Sequence, residues 1–326
     1  MSSRPRIIVT RRLPGPVERR LADSFDTRLN PDDHPFTARE LRVALGEADG
    51  VLCTVTDRID GDMLSVEPLR ARILANFGVG FNHIDMDAAA RGGLVVTNTP
   101  GVLTEATADL TVALMLMVAR RLGEGERAVR LGNWPGWGPT HLMGSDVSGR
   151  TLGIIGLGRI GRAVARRASR GFGMRVLSHS PRRLADAEAE ELAVEQVSLE
   201  RLLAESDFVS LHSRATPATR HLIGRDQLQR MQRSAFLINT ARGDVVDEVA
   251  LVEALMTGTI AGAGLDVYER EPMVPPQLVA LENVVLLPHL GSATESTRTA
   301  MGMKAVDNLV AFFSEGKAPD AVTSDK

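Results

Sequence analysis

The stretch Gly153-Ile154-Ile155-Gly156-Leu157-Gly158-Arg159-Ile160-Gly161 constrains the fold more than any other part of the chain. It reads as an apolar strand from Thr151 to Ile155, a glycine turn, and a helix running to about Arg170. Gly156, Gly158 and Gly161 form G-x-G-x-x-G. In such a motif the first glycine permits a tight turn, the second lets backbone approach a pyrophosphate, and the third lets helix pack close on strand. The helix N-terminus, with Arg159 and Ile160 in its first turn, offers unpaired N–H donors and a partial positive charge to an anion. A glycine-rich turn alone is a weak signal. In this strand–turn–helix setting it points to a dinucleotide site.

The rest of the chain alternates strand and helix patterns, which predicts an α/β fold with two doubly wound parallel sheets. In the first series, strands are expected at Arg6–Thr10, Gly50–Val55, Arg72–Phe77 and Leu94–Thr97. Helical patterns run from Pro14 through Phe25, from Thr37, and from Asp60 to Leu69. A helix then runs from Thr104, a plausible cap, to about Arg121, apolar on nearly every side, so it is either central or covered by a partner subunit. The loop after it holds Trp134 and Trp137 with Pro135 and Pro139. Beyond the glycine motif, strands are expected at Met174–Leu177, Phe208–His212, Ala235–Asn239, Gly262–Asp266 and Val284–Leu287. Helices are expected at Ser198–Glu205, Arg225–Gln232 and Glu248–Thr257, with a last one from Ala293 to Phe313. The pattern reads as one domain inserted into another.

Length and composition fit this picture: 326 residues suffice for two domains, and 44% hydrophobic with 24% charged residues is a globular balance. A net charge of −3 gives no case for nucleic-acid binding. Cys53 is the single cysteine, so no intrachain disulfide and no cysteine metal site is possible; a buried strand position is expected. His83 has no second histidine at ligand spacing, and no metal is expected. Ile7-Ile8-Val9 is too short for a signal-peptide core, and the apolar run Leu110–Ala119 is too short to span a membrane. A cytoplasmic enzyme is the expectation.

In a dinucleotide fold a carboxylate about 20 residues past the glycines holds the ribose 2′-OH. Here the second strand ends Val176-Leu177-Ser178-His179-Ser180-Pro181-Arg182-Arg183, with Ser180 at the expected position and two arginines after it. A carboxylate there would repel a 2′-phosphate, whereas arginine holds one with charge-assisted bonds. NADP(H) is therefore the expected cofactor, with NAD(H) possible; the alternative is that Arg182 and Arg183 simply begin a solvated helix.

Arg242, Glu271 and His289 each follow the C-terminal end of an expected strand, where ligands bind in open α/β sheets. Arginine clamps a carboxylate and polarises a carbonyl. Histidine shuttles a proton near neutral pH, and a glutamate beside it favours the imidazolium. These are the parts that reduction of a carbonyl by a nicotinamide requires.

Around these residues, Asn239-Thr240-Ala241-Arg242-Gly243, Gly262-Ala263-Gly264-Leu265-Asp266-Val267, Glu271-Pro272 and Pro288-His289-Leu290-Gly291-Ser292-Ala293 resemble the signatures of the D-isomer-specific 2-hydroxyacid dehydrogenases. The resemblance covers essentially the whole chain, including Val102–Asp109, and is greatest to glyoxylate/hydroxypyruvate reductases. It implies a flavodoxin-like substrate domain, residues 1–102 and 290–326, into which a Rossmann cofactor domain, residues 103–289, is inserted, with the active site in the cleft. It implies that Arg242 binds the substrate carboxylate and carbonyl oxygen, that His289 protonates that oxygen, and that Glu271 supports His289. Backbone N–H groups of Val79 and Gly80 would hold the carboxylate. Thr107, Thr240, Ala241, Asp266 and Gly291 match positions near the nicotinamide. Dimerisation through the segment between Thr104 and Trp137 is implied as well, with Trp137 similar to a residue that reaches the partner's active site. Thr54, Val55, Phe77 and Trp137 are candidates for the pocket wall. Where the family usually has a proline near the adenine this chain has Arg214, either a further phosphate contact or a solvated side chain.

The implied reaction is NADPH-dependent reduction of glyoxylate or hydroxypyruvate to the 2-hydroxy acid. The rivals are a dehydrogenase for another acid, such as 3-phosphoglycerate or a branched 2-keto acid, and a nucleotide-sensing, corepressor-like protein of the same fold.

Overall fold

Thirteen strands, most of them short apolar runs between turn signals, form among the described residues of the computed structural model, which are residues 4–323. In chain order they are β1 (Arg6–Val9), β2 (Asp26–Arg28), β3 (Gly50–Thr54), β4 (Ile73–Phe77), β5 (Val95–Thr97), β6 (Thr151–Ile155), β7 (Arg175–His179), β8 (Val194–Gln196), β9 (Phe208–Leu211), β10 (Phe236–Asn239), β11 (Gly262–Leu265), β12 (Val284–Leu286) and β13 (Ala321–Val322). Contacts divide the chain into two units, one through Leu103 and again from Thr294, the other Thr104–Ala293. The sequence reading set these boundaries after residues 102 and 289. The second falls later because Leu290 and Gly291 are tied by their N–H groups to Asp266 in the second unit.

In the first unit the sheet order is β13-β5-β4-β3-β1-β2, parallel except for β13. Alternate residues enter two cores. Ile7, Val9, Leu52, Ile73 and Ala75 meet Val17, Leu21, Val306 and Leu309, while Ile8, Val51, Cys53 and Leu74 meet Leu41, Leu45, Ile59 and Ala88. Both faces are thus covered, as a parallel sheet requires. The helix Ala38–Glu47 begins with a capping box, Thr37 accepting from Glu40 N–H at 3.3 Å and Glu40 from Thr37 N–H at 2.7 Å. The helix expected from Asp60 to Leu69 is a single turn, Gly61–Leu64. Pro68 lacks an N–H and disfavours helical backbone at Glu67, so the pattern cannot continue.

In the second unit the order is β12-β11-β10-β9-β6-β7-β8, all parallel. Chain order reverses between β6 and β9, which creates the crevice where such sheets take ligands. The helix Thr104–Ala119 lies on β10, β11 and β12 and on the helix Arg159–Phe172, burying Leu114, Met115 and Val118. Its apolar character is therefore used within this unit. Gly264 in β11 permits the approach, since a Cβ there would stand 3.2 Å from the Cβ of Leu114. Thr104 is the first helical residue rather than the cap. The helix ends at Ala119, two residues short of expectation, and Arg121 turns left-handed into a further helix, Leu122–Arg130, for which the sequence reading assigned no element. Gly123 and Gly125 weaken its helical signal. The helix Asp186–Leu192 and edge strand β8 were also not expected.

Candidate active site

The three adjacent strands β10, β11 and β12 end side by side, and each delivers one part of the site. After β10, Asn239 fixes the turn: its side-chain oxygen accepts from Ala241 N–H at 3.0 Å and its amide donates to the Arg242 carbonyl at 2.9 Å. Arg242 is half-buried, and its Nη1 donates to the Ala241 carbonyl at 2.8 Å. Burial pushes its pKa down, against the charges of Glu271 and Asp244, but an arginine starts so high that it stays cationic. Gly243 lets this turn lie against the next loop: a Cβ there would fall 1.9 Å from the carbonyl carbon of Tyr268. Any side chain would push the Arg242 turn off the Tyr268–Glu271 segment.

After β11, Asp266 is 1% exposed and organises the end of β12. Its carbonyl accepts from His289 N–H at 2.9 Å, and its carboxylate accepts from Leu290 N–H at 2.6 Å and Gly291 N–H at 2.8 Å. Burial raises its pKa, opposed by those bonds and by the His289 charge. His289 is thereby held in the left-handed region, φ 56°. Its Nδ1 lies 2.7 Å from Glu271 Oε2, while Glu271 Oε1 accepts from Tyr268 N–H at 3.1 Å. Burial is the largest single influence on the Glu271 carboxyl and raises its pKa. The bond to His289, the charges of His289 and Arg242, and the Tyr268 bond together outweigh it, so the net shift is downward. Glu271 is ionised near neutral pH, and its partner nitrogen carries the proton, leaving Nε2 as the ring's other polar atom.

The remaining residues expected near the nicotinamide lie around this cluster. The Thr107 hydroxyl donates to the Gly291 carbonyl at 3.0 Å, and Thr111, which the sequence reading missed, joins the Thr107 carbonyl at 2.8 Å to the Thr240 hydroxyl at 2.9 Å. A second pair was also missed: His221 bonds Glu269, whose N–H donates to Glu248 at 2.9 Å. This pair braces the segment that carries Glu271. Its only sequence signal was a histidine and two glutamates far apart in the chain.

At the sheet's reversal point Gly156 has φ 94°, and a Cβ there would stand 2.6 Å from Ser213 N. A Cβ on Gly161 would stand 2.4 Å from the Gly156 carbonyl oxygen. Those two glycines are required by backbone and packing. Gly158 is not: its φ is −76°, and a Cβ would meet no protein atom within 4 Å. It opens the N-terminus of the helix Arg159–Phe172, where Arg159 is exposed and no acidic residue sits in the first turn. These features fit a pyrophosphate. Past β7, Ser180 and Gln196 shape the loop that bears the exposed Arg182 and Arg183. Arg214 is exposed, and its carbonyl accepts from the Thr219 hydroxyl.

In the first unit the loop after β4 is held by its carbonyls. Asn76 Nδ2 donates to the Gly78 and Gly80 carbonyls at 3.2 and 3.0 Å, Thr99 N–H to Gly78 at 3.0 Å, and Asn98 Nδ2 to Val79 at 2.9 Å. The amide N–H groups of Val79 and Gly80 have no such partners among the described residues. Nearby in the sequence, Asp57 is 2% exposed and accepts from Thr54 N–H at 2.7 Å and from the Thr10 hydroxyl. Among the described residues no cluster of three or more metal-ligating side chains occurs, and no helix is long and apolar enough to cross a membrane.

Comparison with known proteins gives the family of the chain. The profile of the D-isomer specific 2-hydroxyacid dehydrogenase NAD binding domain matches residues 112–291. The chain belongs to that family. It is an NAD(P)-dependent oxidoreductase with two parallel-sheet units. It is 48% identical to a glyoxylate reductase of Korarchaeum cryptofilum over 99% of this chain and 97% of that one. A glyoxylate reductase of Thermococcus litoralis is 44% identical over 99% and 98% of the two chains. Among solved structures, an NADPH-dependent glyoxylate/hydroxypyruvate reductase of Sinorhizobium meliloti, in complex with NADP and malonate, superposes with a TM-score of 0.87. It is 38% identical, over 98% of this chain and 97% of that one.

Proposed function

We propose that this 2-hydroxyacid dehydrogenase reduces glyoxylate and hydroxypyruvate to glycolate and D-glycerate, with NADPH as the preferred cofactor. The observation that carries the reading is the 2.7 Å bond between His289 Nδ1 and Glu271, beside Arg242 at the ends of three adjacent strands. In this reading Arg242 and the N–H groups of Val79 and Gly80 take the substrate carboxylate, and Arg242 also polarises the keto oxygen. His289 delivers the proton to that oxygen while Glu271 holds the ring and favours its charged form. The nicotinamide, when bound, supplies the hydride. Gly156, Gly158, Gly161, Arg159 and Ile160 hold the pyrophosphate. Thr107, Thr240, Ala241, Asp266 and Gly291 line the nicotinamide site, and Ser180, Arg182 and Arg183 take the ribose 2′-phosphate.

The unit Thr104–Ala293 is the cofactor domain in this reading, and the other the substrate domain. A homodimer in the cytoplasm is the expected form. Leu122, Val129, Leu131, Trp134 and Trp137, all exposed along one helix and the loop after it, support a second copy of the chain as the partner. Trp137, 85% exposed, is its projecting residue.

The test is steady-state kinetics on the purified chain with glyoxylate, hydroxypyruvate and a panel of larger 2-keto acids, each with NADPH and NADH. Highest kcat/KM is expected for the two small acids with NADPH. A clear NADH preference would overturn the cofactor assignment, and absence of turnover with any 2-keto acid would overturn the reaction.

A further inference from the structure

The loop that carries Ser180, Arg182 and Arg183 is shaped by a side chain from the neighbouring edge strand. Gln196 is the last residue of β8, paired in register with Ser178 of β7. Its Nε2 donates to the Ser180 carbonyl at 3.2 Å and to the Arg182 carbonyl at 3.0 Å, and its Oε1 accepts from Leu184 N–H at 3.0 Å. The orientation of the carboxamide is fixed by chemistry, because two carbonyls need the NH2 and one N–H needs the oxygen. Residues 180–184 are thus bound at three points to one group. The Ser180 hydroxyl adds a bond to the Arg182 carbonyl at 3.1 Å, and buried Leu184 anchors the far end.

The charges on this loop differ from those around it. Arg162 pairs with Glu188, Arg175 with Glu195 and Glu205, and Arg201 with the same two glutamates. Arg182 and Arg183 are exposed and have no ion-pair partner among the described residues. Two uncommitted guanidinium groups at the end of the second strand of a dinucleotide fold suit an added phosphate. Long arginine side chains bind an anion well only when the backbone that carries them is already in place, since ordering on binding subtracts from affinity.

We propose that Gln196 is a positioning residue that sets cofactor choice: its carboxamide holds the 180–184 backbone so that Ser180, Arg182 and Arg183 meet the 2′-phosphate of NADPH. This rests on the NADPH reading above. Cofactor without the 2′-phosphate makes no use of the two arginines and is indifferent to the clamp.

The test replaces Gln196 by Met, which keeps the length and removes all three bonds. For Gln196→Met, KM for NADPH rises by about 5- to 20-fold, the loss expected for a few neutral hydrogen bonds partly expressed in binding. kcat and the parameters for NADH stay within about twofold, as expected where binding of the phosphate is lost equally in the ground and transition states. Binding of adenosine 2′,5′-bisphosphate, measured by calorimetry without turnover, weakens by a similar factor while binding of AMP is unchanged. In an Arg182→Ala, Arg183→Ala background the Gln196 substitution adds nothing further. Gln196→Asn, too short to span the loop, is read the same way should Gln196→Met not fold. Equal losses with NADPH and NADH, or no loss with either, would overturn the role of Gln196 while leaving a wild-type NADPH preference intact. A wild type that prefers NADH would remove the reading and the inference together.

Discussion

The strand ends of the second unit and the loop after β4 in the first unit solve opposite problems. In the second unit the proposed chemistry lies in titratable side chains, and backbone holds them: Asp266 fixes the backbone on either side of His289, and Tyr268 N–H aims Glu271. In the first unit the donors we propose are backbone N–H groups of Val79 and Gly80, and side chains hold the backbone, with the amides of Asn76 and Asn98 occupying the carbonyls. Neutral amides suit that second task, because they turn peptide planes without placing a charge beside the anion to be bound. Charged partners suit the first, because a proton donor must be tuned. Changes in the second unit should therefore strike turnover and its pH dependence, and changes in the first unit should strike substrate binding.

The most severe test is His289→Ala. General acid catalysis typically contributes ~10²–10⁴-fold, so kcat for glyoxylate should fall by about that range while NADPH binding, followed by fluorescence, persists. Near-normal turnover would remove His289 from the chemistry. Glu271→Gln is expected to be milder. A hydrogen bond to a charged group is worth about 1.5–3 kcal/mol, or roughly 10- to 100-fold in kcat. The pH profile carries the sharper information. Glu271 is ionised across the neutral range, its pKa lowered on balance, and an anion beside a proton donor in general favours the donor's charged form. In the Gln variant the alkaline fall in the reduction rate should move toward lower pH; an unmoved profile would make Glu271 a spacer rather than an electrostatic partner.

This division also explains what the sequence allowed to be read. Arg242, Glu271 and His289 stood out by residue type and by their places after apolar runs. The glycine motif stood out because φ at Gly156 and the contact of Gly161 with Gly156 admit no other residue. Thr111, Gln196 and the His221–Glu269 pair did not stand out, because their bonds reach residues distant in sequence and polar side chains of that kind occur in any loop. Backbone donors carry no residue signature at all, so Val79 and Gly80 were reachable only through resemblance. The short strands β2, β8 and β13 carry no apolar run, but most of the strand series was clear from such runs. Helices such as Leu122–Arg130 were not, since two glycines and an exposed apolar face obscure the usual period.

In the first unit, Asn98→Ala should mark the contrast by raising KM for the keto acid and sparing kcat. One neutral hydrogen bond is worth about 0.5–1.5 kcal/mol, so a rise of roughly 2- to 10-fold is expected. A fall in kcat with unchanged KM would mean that the loop acts in the chemistry, and the contrast between the units would fail.

The finest test concerns Asp57, a buried carboxylate that holds the turn after β3, whereas the clamps on the loop after β4 are neutral amides. Burial raises its pKa, and the bonds from Thr10 and Thr54 and the charge of Arg11 offset this only in part. A carboxyl whose folded pKa lies above its unfolded value costs stability while ionised, and the cost vanishes as pH falls through the folded pKa and the group protonates. If Asp57 serves through the geometry of its acceptor oxygen, Asp57→Asn keeps that oxygen, removes the cost, and should lie within about 1 kcal/mol of the wild type at pH 7. The difference in stability between variant and wild type should then move in favour of the wild type as pH is lowered below neutrality. Thermal melts of both proteins across that range decide the matter. A variant several kcal/mol less stable at neutral pH, with the gap closing as acid protonates the wild-type carboxyl, would show that the Thr54 turn needs the charge itself, unlike the loop after β4 with its neutral amides.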